Sequence, residues 1–103
     1  MVSLSKNGLY ADSKVNALME KKIGTISIVV LRRETVKDVN ALLSNYADII
    51  QARQGIPLHE DGLHVISLVV KSDADTINAL TGKLGKLKGI KVKSILLKSV
   101  EYE

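Results

Sequence analysis

Two halves that echo each other, two β-type apolar runs and two helical apolar stripes predict an α+β domain built in the order βαββαβ. Ile26-Ser27-Ile28-Val29-Val30 returns as Ile66-Ser67-Leu68-Val69-Val70, and Val39-Asn40-Ala41-Leu42 returns as Ile77-Asn78-Ala79-Leu80. The two separations, 40 and 38 residues, differ by two, which places the difference in the link between strand and helix. A duplicated βαβ half gives the ferredoxin-like sandwich: four antiparallel strands with both helices on one face. The 103 residues suffice for one such domain.

In chain order, residues Ile23 to Leu31 are rich in Ile and Val and read as the first strand, with Ile26, Ile28 and Val30 sharing one face. Thr35 is expected to cap the first helix, with Asp38 as the acidic partner three residues on. Val36, Val39, Leu43 and Tyr46 recur at helical spacing and form its buried stripe. A short second strand is expected over Ile49 to Arg53, followed by a turn region punctuated by Gly55, Pro57 and Gly62. Leu63 to Lys71 reads as the third strand. Ser72 is expected to cap the second helix, with Asp75 in the matching position and Ile77, Leu80, Leu84 and Leu87 as the stripe. Gly89 closes the connection to a fourth strand, Ile90 to Leu97.

The domain is therefore expected over 23–98, with 99–103 a C-terminal tail and 1–22 an N-terminal extension, either flexible or foreign to the domain. Met19 reads as a start, so residues 1–18 are expected to be dispensable for the fold; the alternative is a short helix over Asp12 to Lys22 packed on the domain.

Composition narrows the function. There is no Cys, which removes disulfides, thiolate metal sites and Cys nucleophiles together and agrees with a cytoplasmic setting. No apolar run approaches the roughly 20 residues of a membrane span, and the first residues lack the apolar middle of a secretory signal. The core is aliphatic, with no Phe or Trp and three Tyr. Residues 1–80 carry nine Lys/Arg and nine Asp/Glu, whereas 81–103 carry six Lys and two Glu. This basic end is either a solvated surface or a site for an anion.

Several chemistries fail on their residues. Gly82 to Gly89 lacks the Gly-x-x-x-x-Gly-Lys-Ser/Thr order and lies at a helix end, where the dipole repels phosphate. The central strands carry no aromatic to stack a base, so RNA binding on the sheet is not expected. Residues 1–22 are too short for a helix-turn-helix, so direct nucleic-acid binding is not expected. No Ser-His-Asp grouping or paired strand carboxylates appear, and the chain is expected not to be an enzyme and to carry no cofactor. His59 and His64, with Glu60 and Asp61 between, are either surface residues or, as the alternative, a metal pair.

Thr25, Ser27, Val29 and Leu31, with Leu63, Val65, Ser67 and Val69, make the second sheet face too apolar to sit in water. A cover is expected: another copy, giving a dimer or higher even assembly, or residues 1–22. The glycines of the second helix mark a candidate site for a small anionic effector or a partner protein, at Thr81, Gly82, Lys83 and Gly85, with Arg53 as a charged contributor. The rival reading is that they only let helix and sheet pack closely.

Gly24-Thr25-Ile26-Ser27-Ile28-Val29-Val30, Arg53-Gln54-Gly55-Ile56-Pro57, Gly62-Leu63-His64-Val65-Ile66-Ser67-Leu68-Val69-Val70, Leu80-Thr81-Gly82-Lys83-Leu84-Gly85 and Gly89-Ile90-Lys91-Val92-Lys93 together resemble the iron-only hydrogenase system regulators over about residues 19–98. The resemblance implies an ACT-like domain, related in fold to the C-terminal domain of the nickel-responsive regulator. It also implies a regulatory role, with assembly or structural support of hydrogenase maturation as the alternative. Amino-acid-binding ACT domains usually place a Gly after the first strand; here the turn is Leu31-Arg32-Arg33-Glu34-Thr35, which argues against an amino-acid effector at that turn. With two His and no Cys, the nickel regulator's metal site is not carried over.

Overall fold

A computed structural model describes residues 21–97. The expectations about residues 1–18 and 99–103 lie outside the described residues. Within them the order is β1 (Lys22–Val30), α1 (Val36–Ser44), β2 (Ile50–Leu58), β3 (Leu63–Ser72), α2 (Ala74–Gly85) and β4 (Ile90–Leu96). One four-stranded sheet runs β2-β3-β1-β4, and every neighbouring pair is antiparallel. This is the ferredoxin-like arrangement. The repeated pentads are each other's neighbours at its centre: Ile26 faces Leu68, Ser27 faces Ser67 and Ile28 faces Ile66.

Strand alternation sorts the side chains into two faces. Ile26, Ile28 and Val30 of β1 and Ile66, Leu68 and Val70 of β3 are buried beneath the helices. Val39 and Leu43 from α1 and Ile77, Leu80 and Leu84 from α2 close the core from above. Tyr46 lies past the end of α1 but still packs against the core, as do Leu87, Ile90 and Val92.

Three local expectations need correction. The second strand is nine residues, Ile50–Leu58, and takes in Gly55 and Pro57, which were expected in a turn. It is an edge strand, so the missing Pro57 N–H leaves no gap in an interior ladder. The turn is instead the 3-10 segment His59–Asp61, closed by Gly62 at φ 68°. A register shift between Ile50 and Ala52 leaves Gln51 as the extra residue and turns Arg53 to the helix side, opposite Leu68.

Thr35 does not cap α1. A 3-10 turn over Arg33–Thr35 feeds the helix, so Thr35 is already helical (φ −80°, ψ −15°), makes no capping bond and is 3% exposed. A capping side chain needs the extended backbone that Thr35 lacks. Ser72 does not cap α2 either: it is the last residue of β3. Asp73, extended at ψ 158°, is the cap, and its carboxylate accepts from the Thr76 amide at 3.0 Å and the Thr76 hydroxyl at 2.7 Å. Those bonds favour the ionised form and lower the Asp73 pKa, led by the Thr76 hydroxyl.

Candidate functional site

Thr81, Gly82, Lys83 and Gly85 lie together on the last turns of α2. The Thr81 hydroxyl donates to the Ile77 carbonyl at 3.0 Å, within its own helix. Lys83 reaches across to the end of the other helical segment: its Nζ donates to Tyr46 Oη at 2.9 Å and stands 5.3 Å from the ring centre. Gly85 faces the sheet, where an added Cβ would meet Val92 Cγ1 at 3.5 Å, an ordinary contact. Arg53 has a different neighbour, donating from its guanidinium to Asn40 Oδ1 on α1.

Gly82 and Gly85 differ in how they bear on the packing reading. Gly82 is exposed, and a Cβ built on it meets nothing within 4 Å. Close packing of helix on sheet therefore does not require it. Gly82→Ala should raise stability by about 0.5–1 kcal/mol, because alanine restricts the unfolded chain and favours helix. Urea unfolding of the two proteins checks this; a lower midpoint for the variant would show that something presses on Gly82.

The two histidines converge on a cleft that the sequence did not single out. It lies at the end of the sheet, between the start of α1 and the β2–β3 hairpin, and encloses about 200 Å³. Val30, Val36, Pro57 and Leu63 supply apolar walls, and Arg33, His59 and His64 supply polar ones. A wider hollow of about 500 Å³ shares Arg33, Val36 and His64 and adds Glu34, Lys37 and Asn40. His64 is fixed by its strand, opposite Val30 on one side and Pro57 on the other. No group of three His, Cys, Asp or Glu able to hold a metal occurs among the described residues. The available signal was Arg32-Arg33 after the first strand and two histidines on the hairpin, but only the antiparallel pairing of β1 with β3 brings those segments together.

The face away from the helices is uncovered by any described residue. Its rows run straight across the sheet: Ala52, Val69, Thr25, Ile95; then Gln54, Ser67, Ser27, Lys93; then Ile56, Val65, Val29, Lys91. Ile95 is 69% exposed, Ile56 46%, Leu31 43% and Val69 38%. None of these face residues is acidic. No helix among the described residues is long and apolar enough to cross a membrane.

Residues 22–94 match the family described as "TM1266-like: Iron-only hydrogenase system regulator, putative". Among solved structures, the uncharacterized protein TM1266 of Thermotoga maritima is 43% identical, with a TM-score of 0.73, covering 76% of this chain and 99% of that one. The ACT domain from the GTP pyrophosphokinase of Chlorobium tepidum superposes with a TM-score of 0.59 at 20% identity, covering 82% of this chain and 96% of that domain, a likeness of fold. A curated relative, the "Putative nickel-responsive regulator" of Methanocaldococcus jannaschii, is 31% identical over 80 residues. That match takes in 75% of this chain and spans 55% of the relative's length.

Proposed function

This chain belongs to the iron-only hydrogenase system regulator family, and from that premise we propose that it is a non-catalytic binding domain that works as an assembly of copies joined through the open face of the sheet. The observation that carries this is the face itself. Four strands about 4.8 Å apart and some seven residues long give a flat footprint of roughly 450 Å², a little over half of the roughly 800 Å² per partner of a stable interface. Leaving that many aliphatic side chains in water is costly.

Charge selects how two copies would stack. All the charge on the three rows is positive and sits on one edge strand, as Lys91 and Lys93 of β4. A two-fold axis running along the strands, between β1 and β3, lays β4 of each copy over β2 of the other. Lys93 then stands over Gln54 and the Lys91 stem covers Ile56, with each ammonium at the wet rim. An axis across the strands would set Lys93 against Lys93, which like-charge repulsion disfavours. Ser27 and Ser67 lie at the centre of the first arrangement, where small side chains let two sheets approach to about 10 Å.

The buried polar residues among those described have structural surroundings. They are Thr35 and Ser72, and the Ser72 hydroxyl is engaged with Asp73 at 3.3 Å. Light scattering on the full chain at micromolar concentration should give at least twice the chain mass. Val65→Glu, which puts a carboxylate in the middle of the stacked face, should give a folded monomer by scattering and circular dichroism. A monomeric parent protein, or a Val65→Glu variant that still associates, would refute the reading.

A further inference from the structure

We propose that the cleft between the start of α1 and the β2–β3 hairpin binds a small organic anion, a carboxylate carried on a compact apolar body. The cleft lies on the helix side of the sheet, so this inference is independent of assembly through the opposite face.

Its size sets the scale. About 200 Å³ falls below the roughly 300–1,000 Å³ of sites for drug-sized ligands and equals about seven waters at ~30 Å³ each. An occupant confined to the cleft is therefore metabolite-sized; anything larger would extend into the adjoining hollow. Its walls set the chemistry. Val30, Val36, Pro57 and Leu63 form an apolar lining that a bare inorganic anion would leave uncovered. Arg33, His59 and His64 border the same space, and Lys37 stands in the adjoining hollow. None of these four side chains has a hydrogen-bond or ion-pair partner among the described residues. These four nitrogen-bearing side chains, three of them exposed and His64 half-buried, leave their donors open to an acceptor in the cleft. The planar fork of Arg33 matches a carboxylate through two parallel hydrogen bonds.

The same inventory of described residues argues against an amino acid and a metal. An ammonium group would need a carboxylate in the cleft. The one acid that borders it, Glu34 in the wider hollow, lies 4.0 Å from the Arg32 guanidinium. A metal would need a third ligand beside His59 and His64, and the described residues supply no such group. The floor is rigid where it matters, because Val30 and His64 are paired across the two central strands.

The test is an NMR titration of the isotope-labelled full chain with 3-methylbutanoate, its neutral amide 3-methylbutanamide, and inorganic phosphate. Saturable shifts at Val30, Arg33, Val36 and His64 are expected with 3-methylbutanoate in the millimolar range or tighter. Binding should weaken at least about tenfold with the amide and about tenfold in Arg33→Gln, the loss of one charge-assisted pair. Arg33 is exposed, so Arg33→Gln should unfold at the parent's temperature, which separates lost binding from lost fold. The proposal is overturned if 3-methylbutanoate gives no saturable response, if the shifts centre elsewhere, if the amide binds equally well, or if phosphate binds as tightly as the carboxylate.

Discussion

Ile28→Ala should remove about 3 kcal/mol of folding stability, whereas Val29→Ala, one residue along, should cost far less. Ile28 has no exposed surface, sits on a central strand opposite Ile66 and Val92, and belongs to the core cluster that the helices close. Truncating a buried Ile to Ala costs about 2–5 kcal/mol, a transfer term plus the cavity left behind. Small domains hold only about 5–15 kcal/mol in total, so the loss is a large share. At about 4–8 °C per kcal/mol for a chain of this size, the thermal midpoint should fall by some 12–24 °C. Val29 points to the open face and is half-buried in the single chain; its truncation should weaken association instead. Both variants must be compared at one protein concentration, since assembly adds concentration-dependent stability. Equal losses for the two would mean that the face is packed within one chain.

The second large effect is expected at Gly89, where Ala should cost about 2 kcal/mol. Two separable causes add there. Gly89 has φ 69°, the left-handed region that penalises a Cβ by roughly 1–2 kcal/mol. Its added Cβ would also lie 2.7 Å from Arg32 Cγ and 3.1 Å from Arg32 Cδ. The turn cannot simply open, because the Leu31 amide donates to the Gly89 carbonyl at 2.7 Å and ties the end of β1 to the start of β4. Arg32→Ala removes Cγ and Cδ but not the backbone strain. A double-mutant cycle by urea unfolding should therefore show Gly89→Ala costing about half as much in the Arg32→Ala background. An unchanged cost would leave the backbone angle as the whole cause.

Gly82 and Gly89 thus carry opposite expectations, although they look alike in the sequence. The difference is φ and surroundings: one is an exposed helical position with free space, the other a left-handed turn beneath an arginine stem.

Periodicity alone determined the βαββαβ order, the two-face sorting of β1 and β3 and the helical stripes. Those depend on spacing along the chain: side chains alternate every two residues in a strand and return about every 3.6 in a helix, so burial is written locally. The family was legible for a related reason, since its markers are contiguous stretches such as Leu80-Thr81-Gly82-Lys83-Leu84-Gly85. Tertiary structure decided what contiguity cannot carry. Pairing with β3 held Gly55 and Pro57 in an edge strand, and the shift at Gln51 turned Arg53 toward α1 and Asn40. A 3-10 entry took the cap from Thr35, and the end of β3 passed the other from Ser72 to Asp73. The cleft depends most on the third dimension. Arg33, His59 and His64 come from the link before α1 and the far hairpin, and they meet only because two central strands run antiparallel and bring distant segments to one end of the sheet.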